Sequence, residues 1–106
     1  MKKYTITTGY GFNADGAPLK MNATQARESI EKIMQIATRV EGWALFECFG
    51  GWVNNAGVLV REPSMRVEFV SDCGDEYAMR VALCVRDTLE QNSVFFEAVE
   101  SSACCI

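Results

Sequence analysis

The spacing of apolar residues at the start of the chain predicts a strand followed by a helix. Residues 4–10 alternate large and small side chains, a period of two that is typical of a strand. A helix is predicted from Asn22 or Thr24, its candidate N-caps, to Gly42, because apolar residues then recur at every third or fourth position. The apolar stripe of this helix consists of Ala26, Ile30, Ile33, Ala37 and Val40.

The middle of the chain has the pattern of two strands joined by a tight turn. Residues 43–49 are apolar at nearly every position, which predicts a strand covered on both faces. Residues 54–57 read N-N-A-G, the composition of a hairpin turn. Extended structure resumes at residues 58–60 and alternates over residues 65–70. Pro63 lies between them and predicts a bulge or a sheet edge, because proline has no N–H to donate.

The last part of the chain predicts a second helix and a fourth strand. A turn at residues 71–75 leads into a helix that ends at residues 91–92. Its candidate caps are Ser71, Asp72 and Asp75. Its buried stripe is predicted to be Ala78, Val81, Ala82, Val85 and Leu89. Residues 93–99 predict the last strand, and residues 101–106 its frayed continuation.

The order strand–helix–strand–strand–helix–strand defines the predicted fold class. It is the α+β, ferredoxin-like arrangement of two split strand–helix–strand units. Right-handed crossovers place both helices on one face of a four-stranded antiparallel sheet. The 106 residues suffice for one core, so residues 1–106 are predicted to form a single ferredoxin-like domain.

Composition and charge exclude several classes of function. A net charge of −4 argues against a nucleic acid polymer as partner, because proteins that bind one carry a basic surface. No signal-peptide core or membrane-spanning run is present, so a cytoplasmic protein with no membrane partner is expected. The five cysteines lack metal-ligand spacing and histidine is absent, so no metal, no cofactor and no Ser-His or Cys-His nucleophile is expected.

The predicted topology gathers polar and aromatic side chains at the hairpin end of the sheet. The end of the first strand, the central hairpin, the start of the fourth strand and the N-terminus of the first helix meet there. The predicted ligand-binding residues are Tyr10, Thr24, Trp52, Asn54, Arg61, Ser64, Gln91 and Ser93, and Glu62 is the candidate catalytic residue. Other amides gathered there are Asn13, Asn22, Asn55 and Asn92. Arg61 and the helix N-terminus suit an anion, and Trp52 or Tyr10 suits a flat ring.

The same residues also have purely structural interpretations, which the sequence leaves open. Arg61 and Glu62 are also typical of solvated charges on a strand edge. Trp52 is also typical of a cover over the core, and Gly50-Gly51 of a bulge. Only the convergence of these residues in space would favour a functional site over these alternatives.

Three short motifs of this chain, taken in order, resemble the pattern of one group of proteins. They are Gly50-Gly51-Trp52, Gly57-Val58-Leu59-Val60-Arg61-Glu62-Pro63-Ser64 and Gln91-Asn92-Ser93-Val94. With them, most of the chain from Gly42 on resembles a domain-of-unknown-function family of small bacterial and phage proteins with a ferredoxin-like fold. The resemblance implies the same fold and the same candidate site, and it implies no particular activity.

Three functions are compatible with these residues. In the favoured hypothesis, an oligomer binds a small anionic or nucleotide-like molecule at the hairpin end, as a phage-type protein that sequesters a nucleotide would. In the second, the protein is a small hydrolase or isomerase in which Glu62 is a general acid or base and Arg61 stabilises negative charge. In the third, the helix-free face of the sheet pairs with a second copy in a dimer or higher homo-oligomer without a ligand. That face is predicted to present Ala44, Phe46, Cys48, Phe95 and Val99.

Overall fold

The computed structural model describes residues 1–102 and confirms the predicted order of elements. The elements are β1 (Lys2–Gly9), α1 (Ala23–Ile36), β2 (Ala44–Val53), β3 (Leu59–Ser71), α2 (Asp75–Thr88) and β4 (Phe95–Glu100). All strand pairs are antiparallel, in the order β2-β3-β1-β4, and both helices pack on one face of the sheet. The fold is therefore ferredoxin-like. The last strand was predicted to continue over residues 101–106, but β4 ends at Glu100, so residues 101 and 102 lie beyond it, and residues 103–106 lie outside the described residues.

The core lies between the two helices and the inner face of the central strands. Tyr4 and Ile6 of β1 pair with Phe69 and Val67 of β3, and all four side chains are buried. The predicted apolar stripes of both helices are buried against them, residue for residue. Neither of the two described helices is long and apolar enough to cross a membrane.

The starts of the two helices decide between the predicted caps. Asn22 caps α1, because its side-chain oxygen accepts from the Gln25 N–H at 2.9 Å and the Gln25 side chain accepts from the Asn22 N–H at 3.0 Å. Thr24 lies inside the first turn and caps nothing. The N-cap of α2 is Gly74, with φ of 91°. The prediction that one of Ser71, Asp72 and Asp75 caps this helix is therefore wrong. α1 also ends at Ile36, well before Gly42.

β2 lies at one edge of the sheet, and the prediction that both of its faces are covered is wrong for the single chain. The exposed fraction is 41% for Phe46 and 87% for Phe49. β2 therefore has the apolar composition of a covered strand, but its large side chains are exposed in the described chain. β2 also runs on to Val53, four residues beyond the predicted end, so the glycines at 50 and 51 lie within the strand.

Pro63 lies at a sheet edge, which was one of its two predicted positions. The register between β2 and β3 is continuous through the pair Phe49–Pro63, so there is no bulge there. On its other side, β3 pairs with β1 only as far as Gly9–Ser64. The Pro63 carbonyl still accepts from the Tyr10 N–H at 3.1 Å, and the missing N–H of proline falls where the ladder to β1 ends.

A buried tyrosine and a lysine hold the first residue of α2 at the end of the sheet opposite the hairpin. The Asp75 carboxylate accepts from Lys2 Nζ at 3.0 Å and from the Tyr4 hydroxyl at 2.8 Å. The hydrogen bonds from Lys2 and Tyr4 hold the pKa of Asp75 below its usual value. Burial and the bond to Asp75 raise the pKa of Tyr4 to about 12.

The Asp75 contacts predict a specific loss of stability in acid. The native pKa of Asp75 lies below its unfolded value, so the carboxylate stabilises the fold above a pH of about 4 and this contribution disappears as the pH falls through the native pKa. Between about pH 5 and 2, urea denaturation should show a steeper decline in the free energy of unfolding for the wild type than for Asp75→Asn. Asp15→Asn, in an exposed loop, should follow the wild type. Parallel curves for the wild type and Asp75→Asn would contradict the assignment.

Candidate functional site

The candidate site depends on a two-stranded arm, residues 50–62, that extends past the end of β1. Its strands pair from Gly50–Glu62 to Val53–Leu59. The predicted turn closes it: the Asn54 side-chain oxygen accepts from the N–H groups of Ala56 and Val58, and Gly57 has φ of 76°. Because β1 ends at Gly9, the loops after β1 and before β4 border the arm instead of a third strand.

A cleft of about 720 Å³ lies between the arm and these two loops. The size is that of a pocket for a small organic molecule. Its lining residues are Phe12, Asn13, Ala14, Gly16, Trp52, Asn54, Val60, Glu62, Gln91, Asn92 and Ser93. Five of the predicted site residues therefore meet in one cavity: Trp52, Asn54, Glu62, Gln91 and Ser93.

Glu62 supplies the only charged side chain among the described residues that line the cleft. Its Oε2 atom is buried and has no hydrogen-bond partner within the part of the chain that the structure describes. The carboxylate lies against the Cα atom of Gly9, where even a methyl group would overlap it. A buried carboxylate oxygen without a donor is costly, so this group is the natural point of attachment for a donor or a cation on a ligand.

The far wall of the cleft is held together by amide side chains. Gln91 Nε2 donates to the carbonyl oxygens of Phe12 at 2.7 Å and Leu89 at 2.8 Å, and Asn92 Nδ2 donates to Ala14 O at 3.0 Å. These bonds fasten the loop after β1 to the end of α2. Both N–H groups of Gln91 Nε2 are used in these bonds, so Gln91 can offer its side-chain oxygen to a ligand. Asn92 can offer its side-chain oxygen and its second amide N–H.

Four predicted site residues lie outside the cleft lining. Arg61 pairs with Gly51 and is exposed; side chains alternate along β3, so it faces the opposite side of the arm from Glu62. Ser64 is buried, and its hydroxyl donates to the Glu62 carbonyl at 3.3 Å. Tyr10 is buried in the core, where desolvation raises its pKa. Thr24 is exposed in the first turn of α1.

Sequence reasoning overlooked the second aromatic residue of the cleft, Phe12, and the glycine that accommodates Glu62. Phe12 follows Gly11 in a loop, and a large aromatic residue in a polar loop is a signal that could have identified it. Gly9 carries no comparable signal, because its role depends on where the side chain of Glu62 falls. Gly50 has a related role: a Cβ atom there would lie 2.7 Å from the Ser64 hydroxyl.

The described part of the chain contains no group of three or more His, Cys, Asp or Glu side chains placed to hold a metal ion. The chemistry that the cleft offers is instead two aromatic rings, Trp52 and Phe12, with one carboxylate and a set of amide side chains. The amide oxygens of Asn13 and Asn54 already accept two backbone N–H bonds each, so these two residues offer their amide N–H groups. Aromatic faces stack on flat rings, and the oxygens accept hydrogen bonds.

Comparison with known proteins shows the fold. No protein-family model and no curated protein matches the sequence. A phage SAM lyase in complex with S-methyl-5'-thioadenosine matches with a TM-score of 0.66 and 18% identity, over 93% of this chain and 80% of that one. The periplasmic divalent cation tolerance protein CutA of Archaeoglobus fulgidus matches with a TM-score of 0.66 and 8% identity, over 99% and 88%. The B. subtilis GlnK–ATP complex matches with a TM-score of 0.51 and 15% identity, over 92% and 80%.

The unpartnered carboxylate predicts that Glu62→Gln stabilises the free protein. Removing the charge removes part of the cost of burying Oε2, so the free energy of unfolding in urea should rise by about 1 kcal/mol at neutral pH. Glu28→Gln, an exposed change on α1, should alter it by less than about 0.5 kcal/mol. A loss of stability in Glu62→Gln would mean that the carboxylate already has a favourable partner in the free protein.

Proposed function

We propose that the protein binds a small nucleoside- or nucleotide-like molecule in the cleft beside the arm. The observation that carries the proposal is the convergence of Trp52 and Phe12 with the unpartnered carboxylate of Glu62 in one cavity. The aromatic rings suit a flat base, and the carboxylate suits an amino or hydroxyl group of the ligand.

The charge of the residues that line the cleft limits which ligands can bind inside it. No Lys or Arg belongs to the described lining, and Glu62 contributes a negative charge. A phosphate deep in the cleft would meet this carboxylate and no cation. The part of the ligand held inside is therefore neutral or cationic and rich in donors, as a nucleoside is. The anionic group that the sequence favours is expected at the solvent-facing mouth, where it does not approach Glu62.

Two of the matching structures support this ligand class by analogy of fold. One contains S-methyl-5'-thioadenosine and the other contains ATP, so each holds an adenosine group. Fold alone does not transfer a ligand, and the residues of this cleft carry the argument. We also propose that the protein sequesters its ligand in the cytoplasm as a homo-oligomer, because its sequence shows no signal-peptide core and its helix-free sheet face is apolar.

Thermal unfolding with a panel of adenosine, S-methyl-5'-thioadenosine, SAM and ATP tests the proposal. A ligand at about 100 times its Kd should stabilise the protein by about 2.7 kcal/mol, which raises Tm by about 10 °C or more in a domain of this size. Trp52→Ala should abolish the shift because the stacking surface is lost. Trp43→Ala, which removes the other tryptophan at the far end of β2, should preserve it.

Two outcomes would count against the ligand proposal. One is a well-folded protein whose Tm no member of the panel raises. The other is a ligand-induced shift that survives Trp52→Ala, since this would locate the binding site elsewhere on the domain.

A second candidate function, catalysis by Glu62, is favoured by the same unpartnered carboxylate. A carboxylate with one oxygen buried in a cleft can act as a general acid or base, and the matching phage enzyme is a SAM lyase. The position of Arg61 on the opposite side of the arm removes it as the stabiliser of negative charge in this account.

If Glu62 is the catalytic residue, changing it should reduce the rate of turnover without removing ligand binding. Consumption of SAM, followed by mass spectrometry, should be measurable for the wild type and should fall by at least about a hundredfold in Glu62→Gln, while the ligand-induced Tm shift remains. Arg61→Gln should leave the rate unchanged. Equal rates for Glu62→Gln and the wild type would remove Glu62 from any catalytic account and leave binding alone.

A further inference from the structure

We propose that a second copy of this chain covers the helix-free face of the sheet, with Glu97 of each copy meeting the cluster Lys3–Arg66–Glu68 of the other. This face is called the open face below. The inference names the contact surface of the proposed homo-oligomer; it rests on that oligomer and not on the identity of the ligand.

The open face presents more large apolar side chains than a solvated sheet would. The strand register places Phe46 beside Arg66, Phe95 beside Thr7 and Val99 beside Lys3, all pointing away from the helices. The exposed fractions are 62% for Phe95 and 49% for Val99. Clusters of this kind on a soluble domain mark an interaction surface.

β2 provides an independent argument that the cover is another protein chain. Its ten residues, A-L-F-E-C-F-G-G-W-V, contain no Lys, Arg or Pro, which are the residues that normally keep a free strand edge from pairing. The apolar composition of β2 predicts that both of its faces are covered, but the described part of the chain covers little of either face. A partner on the open face would cover the row Ala44, Phe46 and Cys48.

The charges of the open face favour a second copy over an unrelated partner. Lys3 and Arg66 share a single carboxylate, with Nζ and Nε each 3.5 Å from Glu68, so this cluster carries one surplus positive charge. Glu97, on the same face, forms no ion pair with any residue of the described chain, and it carries one surplus negative charge. A face that carries one surplus positive charge and one surplus negative charge is complementary to itself when two copies meet about a two-fold axis.

Arg66 packs against an aromatic ring on the open face. Its guanidinium lies over the ring of Phe46, with 5.1 Å between the guanidinium carbon and the ring centroid. Its Nε atom is buried without a hydrogen-bond partner among the described residues, since the contact to Glu68 lacks hydrogen-bond geometry. The Arg66 side chain is 44% exposed, so a carboxylate from a partner can reach its terminal nitrogens.

Sedimentation velocity over a concentration series, without any ligand, tests the interface. The wild type should associate in the micromolar range, and Phe95→Glu should weaken association by at least about tenfold. Ile36→Glu, an equally drastic change at a 73% exposed position on the helix layer, should associate as the wild type does. A wild type that stays monomeric at about 100 μM overturns the proposal, and so does association that Phe95→Glu leaves intact.

A charge exchange tests the proposed pairing itself. Glu97→Lys and Lys3→Glu should each associate more weakly than the wild type, because like charges then face each other across the contact. An equimolar mixture of the two variants should restore association, because opposite charges meet again. Failure of the mixture to associate, with both variants folded by circular dichroism, overturns the pairing. Since no ligand is present, neither result depends on whether the cleft binds a nucleoside.

Discussion

The structure depends on the unequal length of its two central strands. β3 has 13 residues and β1 has eight, and their ladder ends at the pair Gly9–Ser64. Up to that point β3 has a partner on each side and lies over the core. Beyond it β3 has only β2, and the two strands continue as an arm bordered by loops. The pairing of β1 with β3 therefore forms the rigid part of the sheet, and the cleft lies where this pairing ends.

The same boundary explains why a carboxylate can be buried at the edge of the cleft. Glu62 is the second residue of β3 beyond Ser64, so its side chain turns back over the end of the ladder and lies against Gly9. A residue with a Cβ atom at position 9 would displace it. The fold thus holds a desolvated oxygen in place without a donor among residues 1–102, an arrangement that costs stability and that the proposed ligand would relieve.

Periodicity was sufficient to predict the six elements, the two helical stripes and the fold, because these depend on local spacing and on short connections. It also predicted that Trp52, Glu62 and Gln91 would meet, since topology alone brings their elements to one end of the sheet. It misplaced Arg61, because two adjacent polar residues in a strand give no indication of which face each side chain takes until the register is known. The cover predicted for β2 is absent from the single chain, and a pattern within one chain does not distinguish burial by its own helices from burial by a partner.

The central claim is that the cleft beside the arm is where this protein meets its ligand. The chain has two tryptophans, Trp52 in the cleft and Trp43 just before the start of β2, at the opposite end of the strand. The indole N–H resonances of the two residues in a ¹⁵N-labelled sample therefore provide a site signal and an internal reference. Titration with S-methyl-5'-thioadenosine should shift the Trp52 indole resonance and leave that of Trp43 in place. A shift of Trp43 alone, or of neither resonance at millimolar ligand, would contradict the account.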